Sequence, residues 1–127
     1  MGADFCINYK KDSVHEKVME FTANKGADII ADPVGAQNAD TNQKSAALDC
    51  TWVLFGFLGG FMCANFDMGP LLRKRIKLVA TTLKSRSVTY KADLIAKVGQ
   101  ILFPAEGGQN FEAKPVIDRT FNMSEAK

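Results

Sequence analysis

Two short glycine-containing segments follow apolar runs in this 127-residue sequence, and their residue types are the ones best suited to binding a ligand. Pro33-Val34-Gly35 follows the apolar residues 27–31 and Asp32, and Leu58-Gly59-Gly60 follows residues 51–57. Glycine lets a backbone approach a ligand closely, and open α/β sheets bind ligands beyond the carboxyl ends of their strands. The two segments fit a nucleotide site, although ordinary tight turns explain them about equally well.

Candidate catalytic side chains are few. The one histidine, His15, stands beside Glu16 near the start of a predicted amphipathic helix, where a solvent-facing position is expected. No G-x-G-x-x-G follows a strand, and the sequence has no P-loop, H-E-x-x-H or G-x-S-x-G motif. The odd number of cysteines and the lack of C-x-x-C predict reduced thiols rather than a disulfide framework or a zinc knuckle. The cysteines are Cys6, Cys50 and Cys63.

The elements that would position the two turns follow from apolar periodicity and turn residues. Strands are predicted at residues 5–9, 27–31, 51–57, 76–83 and 114–121. Helices are predicted from Ser13, which has capping-box spacing to Glu16, over residues 36–49, from Pro70, over residues 87–103 and from Ser124. This alternation predicts a mainly parallel sheet of about five to six strands with helices on both faces.

Composition excludes several other classes of protein. The hydrophobic fraction of 46%, the charged fraction of 24% and the net charge of +2 are ordinary for a globular domain. They indicate neither a nucleic-acid partner nor an anionic membrane partner. The most apolar stretch, residues 50–61, is too short and too glycine-rich to cross a bilayer, and no secretory signal is visible. The expected reduced thiols fit a cytoplasmic location best.

Six motifs occur in order over nearly the whole chain. They are GADFCINYK at residues 2–10, DPVG at 32–35, FGFLGG at 55–60, GPLLRKR at 69–75, TTLKSR at 81–86 and KPVID at 114–118. In this order and spacing they resemble the zinc-free NADPH:quinone oxidoreductase branch of the medium-chain dehydrogenase/reductase superfamily. The resemblance implies hydride transfer from NADPH to quinones or related electron-poor carbonyl compounds, with the cofactor supplying the chemistry.

The resemblance also implies which residues contact the cofactor. Tyr9 inherits a contact to the 2′-phosphate region of NADPH, although a strand-end aromatic packed on the sheet is the alternative. Phe57, Leu58 and Gly59 would lie along the cofactor near the nicotinamide, and Thr81, Thr82 and Leu83 would bond it through their backbone. The turn at Pro33, Val34 and Gly35 completes the expected binding edge. No general acid or base and no metal ligand is assigned.

The resemblance implies a partial fold. Residues 1–112 are expected to be the C-terminal part of a Rossmann-type nucleotide-binding domain that lacks its first βαβ unit and phosphate loop. Residues 113–127 are expected to be the strand and helix start that return to an absent catalytic domain. The chain alone is therefore expected to be inactive. The alternative function is a truncated product that acts only by associating with itself or with a full-length relative.

The resemblance adds an expected partner for one strand. In that family the strand at residues 76–82 lies at the sheet edge and pairs with its copy in a second subunit. Here it is β-prone and carries a single charge, Lys77. Such a weakly protected edge predicts a homodimer. A monomer whose edge is covered by the short helix from Pro70 is the alternative.

Overall fold

Three parallel β-strands lie side by side in chain order in the computed structural model, which describes residues 2–102 and 117–125. The described chain forms two compact units that divide between Ser85 and Arg86. The first unit contains α1 (Val14–Phe21), β1 (Ala27–Asp32), a 3₁₀ turn (Ala36–Asn38), α2 (Ala39–Ser45), β2 (Ala46–Leu54), α3 (Gly69–Arg73) and β3 (Lys77–Ala80). The second contains α4 (Val88–Leu102) and a 3₁₀ turn (Met123–Glu125).

The first helix forms where its capping residues predict it. The Ser13 side chain caps α1 by accepting a hydrogen bond from the Glu16 amide at 3.4 Å. Thr22 ends the helix, and its hydroxyl donates to the Val18 carbonyl at 2.7 Å. The Thr22 Oγ1 also accepts from the amide of Gly26 at 2.9 Å, which leads the chain directly into β1.

The strand predicted at residues 5–9 is absent. Residues 5–8 have no regular secondary structure, and the Asn8 carbonyl accepts bonds from the amides of Lys11 and Asp12, each at 2.9 Å, so the chain turns. Phe5 stacks on Phe21 with ring centroids 4.2 Å apart instead of entering a sheet. A strand needs a neighbour for its backbone hydrogen bonds, and the described residues place none beside this segment.

The sheet is consequently smaller than predicted, with three strands among the described residues instead of five to six. Of the strand predicted at residues 114–121, the first three residues lie outside the described ones, and residues 117–121 are not a strand. The helix start predicted at Ser124 is a 3₁₀ turn. The helix predicted over residues 87–103 is confirmed as α4, with Phe103 outside the described residues.

The second strand begins earlier than predicted. The alanine-rich residues 36–49 were expected to be one helix, but α2 ends at Ser45 and β2 begins at Ala46. Ala46 pairs with Ala27 and Thr51 pairs with Ile29, so the register shifts between these two pairs. Asp49 has a φ of 63° within this irregular stretch. Ala46 and Ala47 are buried as expected, but on a strand and not on a helix face.

The core lies on one face of the sheet. Ile30 and Trp52 occupy matching register positions on the face that packs against helices, and Leu78, the register partner of Trp52 on β3, is 44% exposed. The buried cluster comprises Ala39, Ala46, Cys50, Trp52 and Ile76, with Ile30, Phe66 and Leu71 packed against it. The opposite face is open, with Ile29 72% and Val79 47% exposed. The predicted α/β fold with a parallel sheet is confirmed, and within the first unit α2 and α3 pack on one face of that sheet.

Candidate functional site

A buried carboxylate organises the carboxyl end of β1. Asp32, only 2% exposed, ends the strand, and its Oδ1 accepts the amides of Val34 at 2.8 Å and Gly35 at 3.0 Å. Its Oδ2 accepts Nδ2 of Asn42 at 2.9 Å and Nε1 of Trp52 at 3.0 Å. All four donors are neutral, and each hydrogen bond to a charged acceptor is a strong one. The carboxylate thereby connects β1, α2 and β2 to the turn that follows it.

The two glycine-containing turns are joined by their backbones. The amide of Leu58 donates to the Pro33 carbonyl at 3.1 Å, and that of Gly59 donates to the Val34 carbonyl at 2.8 Å. In the other direction, the Ala36 amide donates to the Gly60 carbonyl at 2.9 Å. The structure therefore brings five of the predicted site residues together at one edge of the sheet. They are Pro33, Val34, Gly35, Leu58 and Gly59.

Two glycines make this close approach possible. Gly35 has a φ of +83°, and a Cβ added to it would lie 2.7 Å from the Gly60 carbonyl oxygen. A Cβ added to Gly56 would lie 2.6 Å from the Pro33 carbonyl oxygen. Side chains other than hydrogen cannot occupy such positions without displacing the backbone opposite them.

The joined turns offer a ligand their side chains and not their backbone amides, because those amides already donate hydrogen bonds within the site. The amides of residues 34–36 and 58–60 all donate within the two turns or to Asp32. Leu58 is 86% exposed and Phe57 is 56% exposed. Phe57 packs edge-on against Phe61, with ring centroids 6.3 Å apart. A ligand at this edge would therefore meet an apolar surface and not a nest of free amides.

The end of β3 completes the edge. Thr81, Thr82 and Leu83 are exposed and follow the strand directly. The Thr81 amide donates to the Leu54 carbonyl at 2.9 Å, which places this segment beside the carboxyl end of β2. Because the three strands are parallel, their carboxyl ends meet at the same edge. The segment thus lies at the same edge of the sheet as the two turns.

Tyr9 is exposed at the tip of a separate turn. It is 74% exposed, and the neighbouring Asn8 side chain accepts the Lys10 amide at 3.1 Å. In the described part of the chain, no hydrogen bond or ring contact joins Tyr9 to the glycine turns. The packing alternative for Tyr9 is not supported by this exposure, and a cofactor contact stays a prediction.

An apolar cleft adjoins the turns, and the sequence did not reveal it. It has a volume of about 120 Å³. Its lining residues are Gly35, Ala36, Ala39, Trp52, Leu54, Phe57, Phe61, Cys63, Phe66 and Leu78. The Asp-Pro-Val-Gly segment did carry one available signal, since Asp commonly bonds the amides two and three residues on. Nothing in the sequence indicated that Asn42 and Trp52 would reach the same carboxylate.

The thiols and metal-binding side chains form no reactive cluster in the described ranges. All three cysteines are free, and burial raises the pKa of the Cys50 thiol, which keeps it protonated and inert. No group of three or more His, Cys, Asp or Glu side chains within residues 2–102 and 117–125 could hold a metal ion. None of the described helices has both the length and the apolar character that crossing a bilayer requires.

Several solved structures are similar in fold to this chain. A protein described as an alcohol dehydrogenase from Sinorhizobium meliloti is 29% identical, with a TM-score of 0.62 over 79% of this chain and 28% of its own. The mycobacterial protein Rv1454c, solved with NADPH, is 25% identical, with a TM-score of 0.65 over 80% and 32%. A mycobacterial quinone oxidoreductase is 27% identical, with a TM-score of 0.60 over 79% and 33%. The chain thus spans about a third of the length of these structures.

The sequence comparison assigns the family. No curated protein sequence matches the chain. A family model described as zinc-binding dehydrogenase matches residues 1–98. The described residues supply no group of metal ligands for the zinc in that description. The fold, the joined turns at the carboxyl ends of the strands and the extent of this match agree, and the chain therefore belongs to the zinc-binding dehydrogenase family of medium-chain oxidoreductases.

Proposed function

We propose that this chain forms the nicotinamide side of an NADPH site in an oxidoreductase that reduces quinones or related electron-poor carbonyl compounds. The observation that carries the proposal is the pair of joined turns, residues 33–35 and 56–60, at the carboxyl ends of neighbouring parallel strands. Ligands of open α/β sheets bind at such edges. The NADPH in the structure of the similar protein Rv1454c supports the choice of cofactor.

The exposed side chains at this edge suit a flat, weakly polar ring. Phe57 and Leu58 would lie along the nicotinamide, and Gly59 would let it approach the backbone. Thr81, Thr82 and Leu83 would bond it through their main chain, while Pro33, Val34 and Gly35 hold the first turn in place. When bound, the nicotinamide supplies a hydride, and the residues here bind, orient and shield it. No described side chain is assigned a proton-transfer role.

The quinone substrate is the finer part of the proposal. It is supported by the likeness to a mycobacterial quinone oxidoreductase at 27% identity and by the apolar, aromatic surface around Phe57 and Phe61. Small-molecule sites are lined mostly by hydrophobic and aromatic side chains with few polar groups. The three free thiols fit a reducing, cytoplasmic setting. A homodimer through the edge of β3 belongs to the same proposal.

A titration of the isotope-labelled chain with NADPH, followed by amide NMR shifts, tests the cofactor site. The expected result is concentration-dependent shifts at residues 57–59 and 81–83. Leu58→Ser should weaken binding about threefold to tenfold, because part of an apolar contact is lost. Leu72→Ser is the matched control, since Leu72 is 82% exposed on α3 and Leu58 is 86% exposed.

Three results would contradict the assignment of the cofactor site to this edge. An absence of shifts at millimolar NADPH, or shifts that appear only away from the two turns, would show that this edge is not the cofactor site. Equal weakening by Leu58→Ser and Leu72→Ser would also count against the assignment. The alternative function, association without catalysis, would then be favoured by the open face of the sheet and its exposed Ile29.

A further inference from the structure

We propose that Asp32 is a positioning residue that sets the register of both cofactor-facing turns, and this inference rests on the proposed function for its purpose. Asp32 makes no contact with a ligand itself, because it is 2% exposed and lies beneath the turn. Its influence would pass through the backbone of the turn that follows it. The resemblance assigned no role to this residue.

The hydrogen bonds show how one carboxylate can order two turns. Oδ1 draws the amides of Val34 and Gly35 inward. With these amides turned inward, the carbonyls of Pro33 and Val34 face the second turn and accept the amides of Leu58 and Gly59. The orientation of Phe57 and Leu58 toward a ligand therefore depends on the carboxylate, although neither residue contacts it.

The carboxylate is itself held from the other side. Oδ2 accepts from Asn42 on α2 and from Trp52 on β2, at 2.9 and 3.0 Å. These residues are ten and twenty positions away in sequence, so the bonds fix the carboxylate relative to the whole sheet. None of the ion pairs among the described residues includes Asp32. Four neutral donors, in place of a cation, satisfy this buried charge.

Asparagine at position 32 cannot reproduce this set of bonds. One side of its amide is an acceptor and the other is an NH₂ donor. In one orientation the NH₂ faces the amides of Val34 and Gly35. In the other it faces Trp52, whose indole N–H can only donate, although Asn42 could turn its own amide to accept. In either orientation, the NH₂ group of the asparagine would face an N–H donor that the Asp32 carboxylate accepts.

Hydrogen exchange of the full chain, resolved by residue, tests the role. Asp32→Asn should lower protection about tenfold or more at Val34 and Gly35, since a hydrogen bond to a charged group contributes that much. Protection should also fall at Leu58 and Gly59, because the carbonyls that accept their amides belong to the same two peptide groups. The amides of Ile30 and Val53 inside the sheet should keep their protection. A residue that only stabilised the fold would lower all of these amides together.

Two further variants keep the test decisive. Asp28→Asn is the matched control, because Asp28 lies on the same strand and pairs with Lys25 at the surface, at 2.6 Å. It should leave both turns unchanged. If Asp32→Asn fails to fold, Asn42→Ala removes one bond to Oδ2 and should lower protection at the same four amides by a smaller factor. Unchanged protection of Leu58 and Gly59 in these variants would overturn the positioning role.

An NADPH titration on the same samples separates this inference from the proposed function. If the unmodified chain shows shifts at residues 57–59 and Asp32→Asn loses them while Asp28→Asn keeps them, both proposals are supported. If the unmodified chain shows no shifts, the cofactor assignment fails, and the exchange data still decide whether Asp32 joins the turns. Equal NADPH shifts in the unmodified chain and in Asp32→Asn would refute the positioning role of Asp32 and leave the cofactor assignment in place.

Discussion

Tyr9 is the residue for which exposure and proposed role combine most directly. Tyr9 is 74% exposed in a turn that also carries Lys10. A phenol can donate one hydrogen bond to a phosphate oxygen, and a bond to a charged group contributes about 1.5–3 kcal/mol. The 2′-phosphate is present in NADPH and absent from NADH, so the contact would discriminate between them.

In an extended protein that also carries a phosphate-binding loop, Tyr9→Phe should therefore weaken NADPH about tenfold or more. NADH binding should change little. Calorimetric titration with both cofactors measures the two changes. Tyr90→Phe is the matched control, because Tyr90 is the other tyrosine and packs under Arg86, 4.8 Å from its guanidinium carbon. Equal weakening of both cofactors by Tyr9→Phe would place Tyr9 outside the 2′-phosphate contact.

Gly35 tests the closeness of the two turns. Gly35→Ala would strain a backbone at φ +83° and push a methyl group to 2.7 Å from the Gly60 carbonyl oxygen. Gly60→Ala strains a similar backbone at φ +96° but meets nothing within 4 Å. Gly35→Ala should therefore lower the free energy of unfolding by about 1–3 kcal/mol more than Gly60→Ala. Urea unfolding measures the free energy of unfolding of both variants. Equal decreases would show that the two turns can move apart at little cost in stability.

Asp49 links β2 to the start of β3 through an exposed ion pair. Arg75 donates Nε and Nη2 to the two carboxylate oxygens at 2.8 and 2.7 Å, and these hydrogen bonds hold the pKa of Asp49 below its ordinary value. A lowered folded-state pKa means that the stabilisation is present above the unfolded-state pKa and is lost as pH falls through the folded one.

The expected result is a small gap in melting temperature between the chain and Asp49→Asn at neutral pH, since exposed pairs contribute little. Asparagine tolerates the left-handed backbone at this position, where φ is 63°, so it removes the charge with little added strain. The gap should close as pH falls from about 5 to about 2. A gap that does not vary with pH would mean that the charge of Asp49 contributes nothing.

The sequence predicted those features of the candidate site that depend on residues close together in the chain. Glycines after apolar runs marked both turns, and the Ser13 cap marked the start of α1. Asp32 was visible as a strand end, but its four-donor environment depends on Asn42 and Trp52, which only tertiary folding brings near. Phe61 and Cys63 joined the cleft for the same reason.

At the scale of elements, sheet pairing overrode local helix propensity. Residues 46–49 continue an alanine-rich stretch that favours a helix, yet Ala46 pairs with Ala27 in a parallel ladder. Conversely, residues 5–9 have strand-like composition but form no strand, because no neighbouring strand is present beside them in the described chain. Both differences arise because a strand forms only beside a strand that pairs with its backbone, whereas helix propensity depends on the local sequence.

The outer edge of β3 carries a prediction about association. The Thr81 amide donates to Leu54 of β2, so by the alternation of a strand Val79 also faces β2, while Leu78 and Ala80 point their amides outward. The strand pairs with β2 alone among the described strands. An open edge with one charged residue, Lys77, favours pairing with a second copy.

We therefore expect the chain to be a dimer through β3, and Ala80→Pro to make it a folded monomer by removing an outward donor. Val79→Pro should instead break the β2–β3 ladder and give unfolded or insoluble protein. Light scattering and circular dichroism distinguish these states. A monodisperse monomer of the unmodified chain would refute pairing through this edge.

In the first unit, one face of the sheet is packed against helices and the other face is exposed. The buried cluster lies on the helix side of the sheet, and Ile29 and Val79 are exposed on the other. Exposed apolar surfaces of this kind normally meet another surface. The structures that share the fold are about three times as long as this chain.

The affinity of this chain for NADPH depends on which groups are free to bind its phosphates. A pyrophosphate normally rests on free amides at a helix N-terminus behind a glycine-rich loop. The sequence contains no such motif, and the amides of residues 34–36 and 58–60 already donate within the turns or to Asp32. The remaining contacts are apolar or made by single backbone groups. We expect a dissociation constant on the order of a millimolar, about −4 kcal/mol.

Calorimetry or the amide shifts of the labelled chain measure this affinity. Adding a phosphate-binding loop and its helix in an extended protein should tighten binding to the micromolar range, about 4 kcal/mol stronger. The residues that shift on titration, 57–59 and 81–83, should be the same in both proteins, because the nicotinamide edge is already formed. A low-micromolar constant for the unextended chain would mean that the turns supply phosphate contacts that their internal hydrogen bonds exclude.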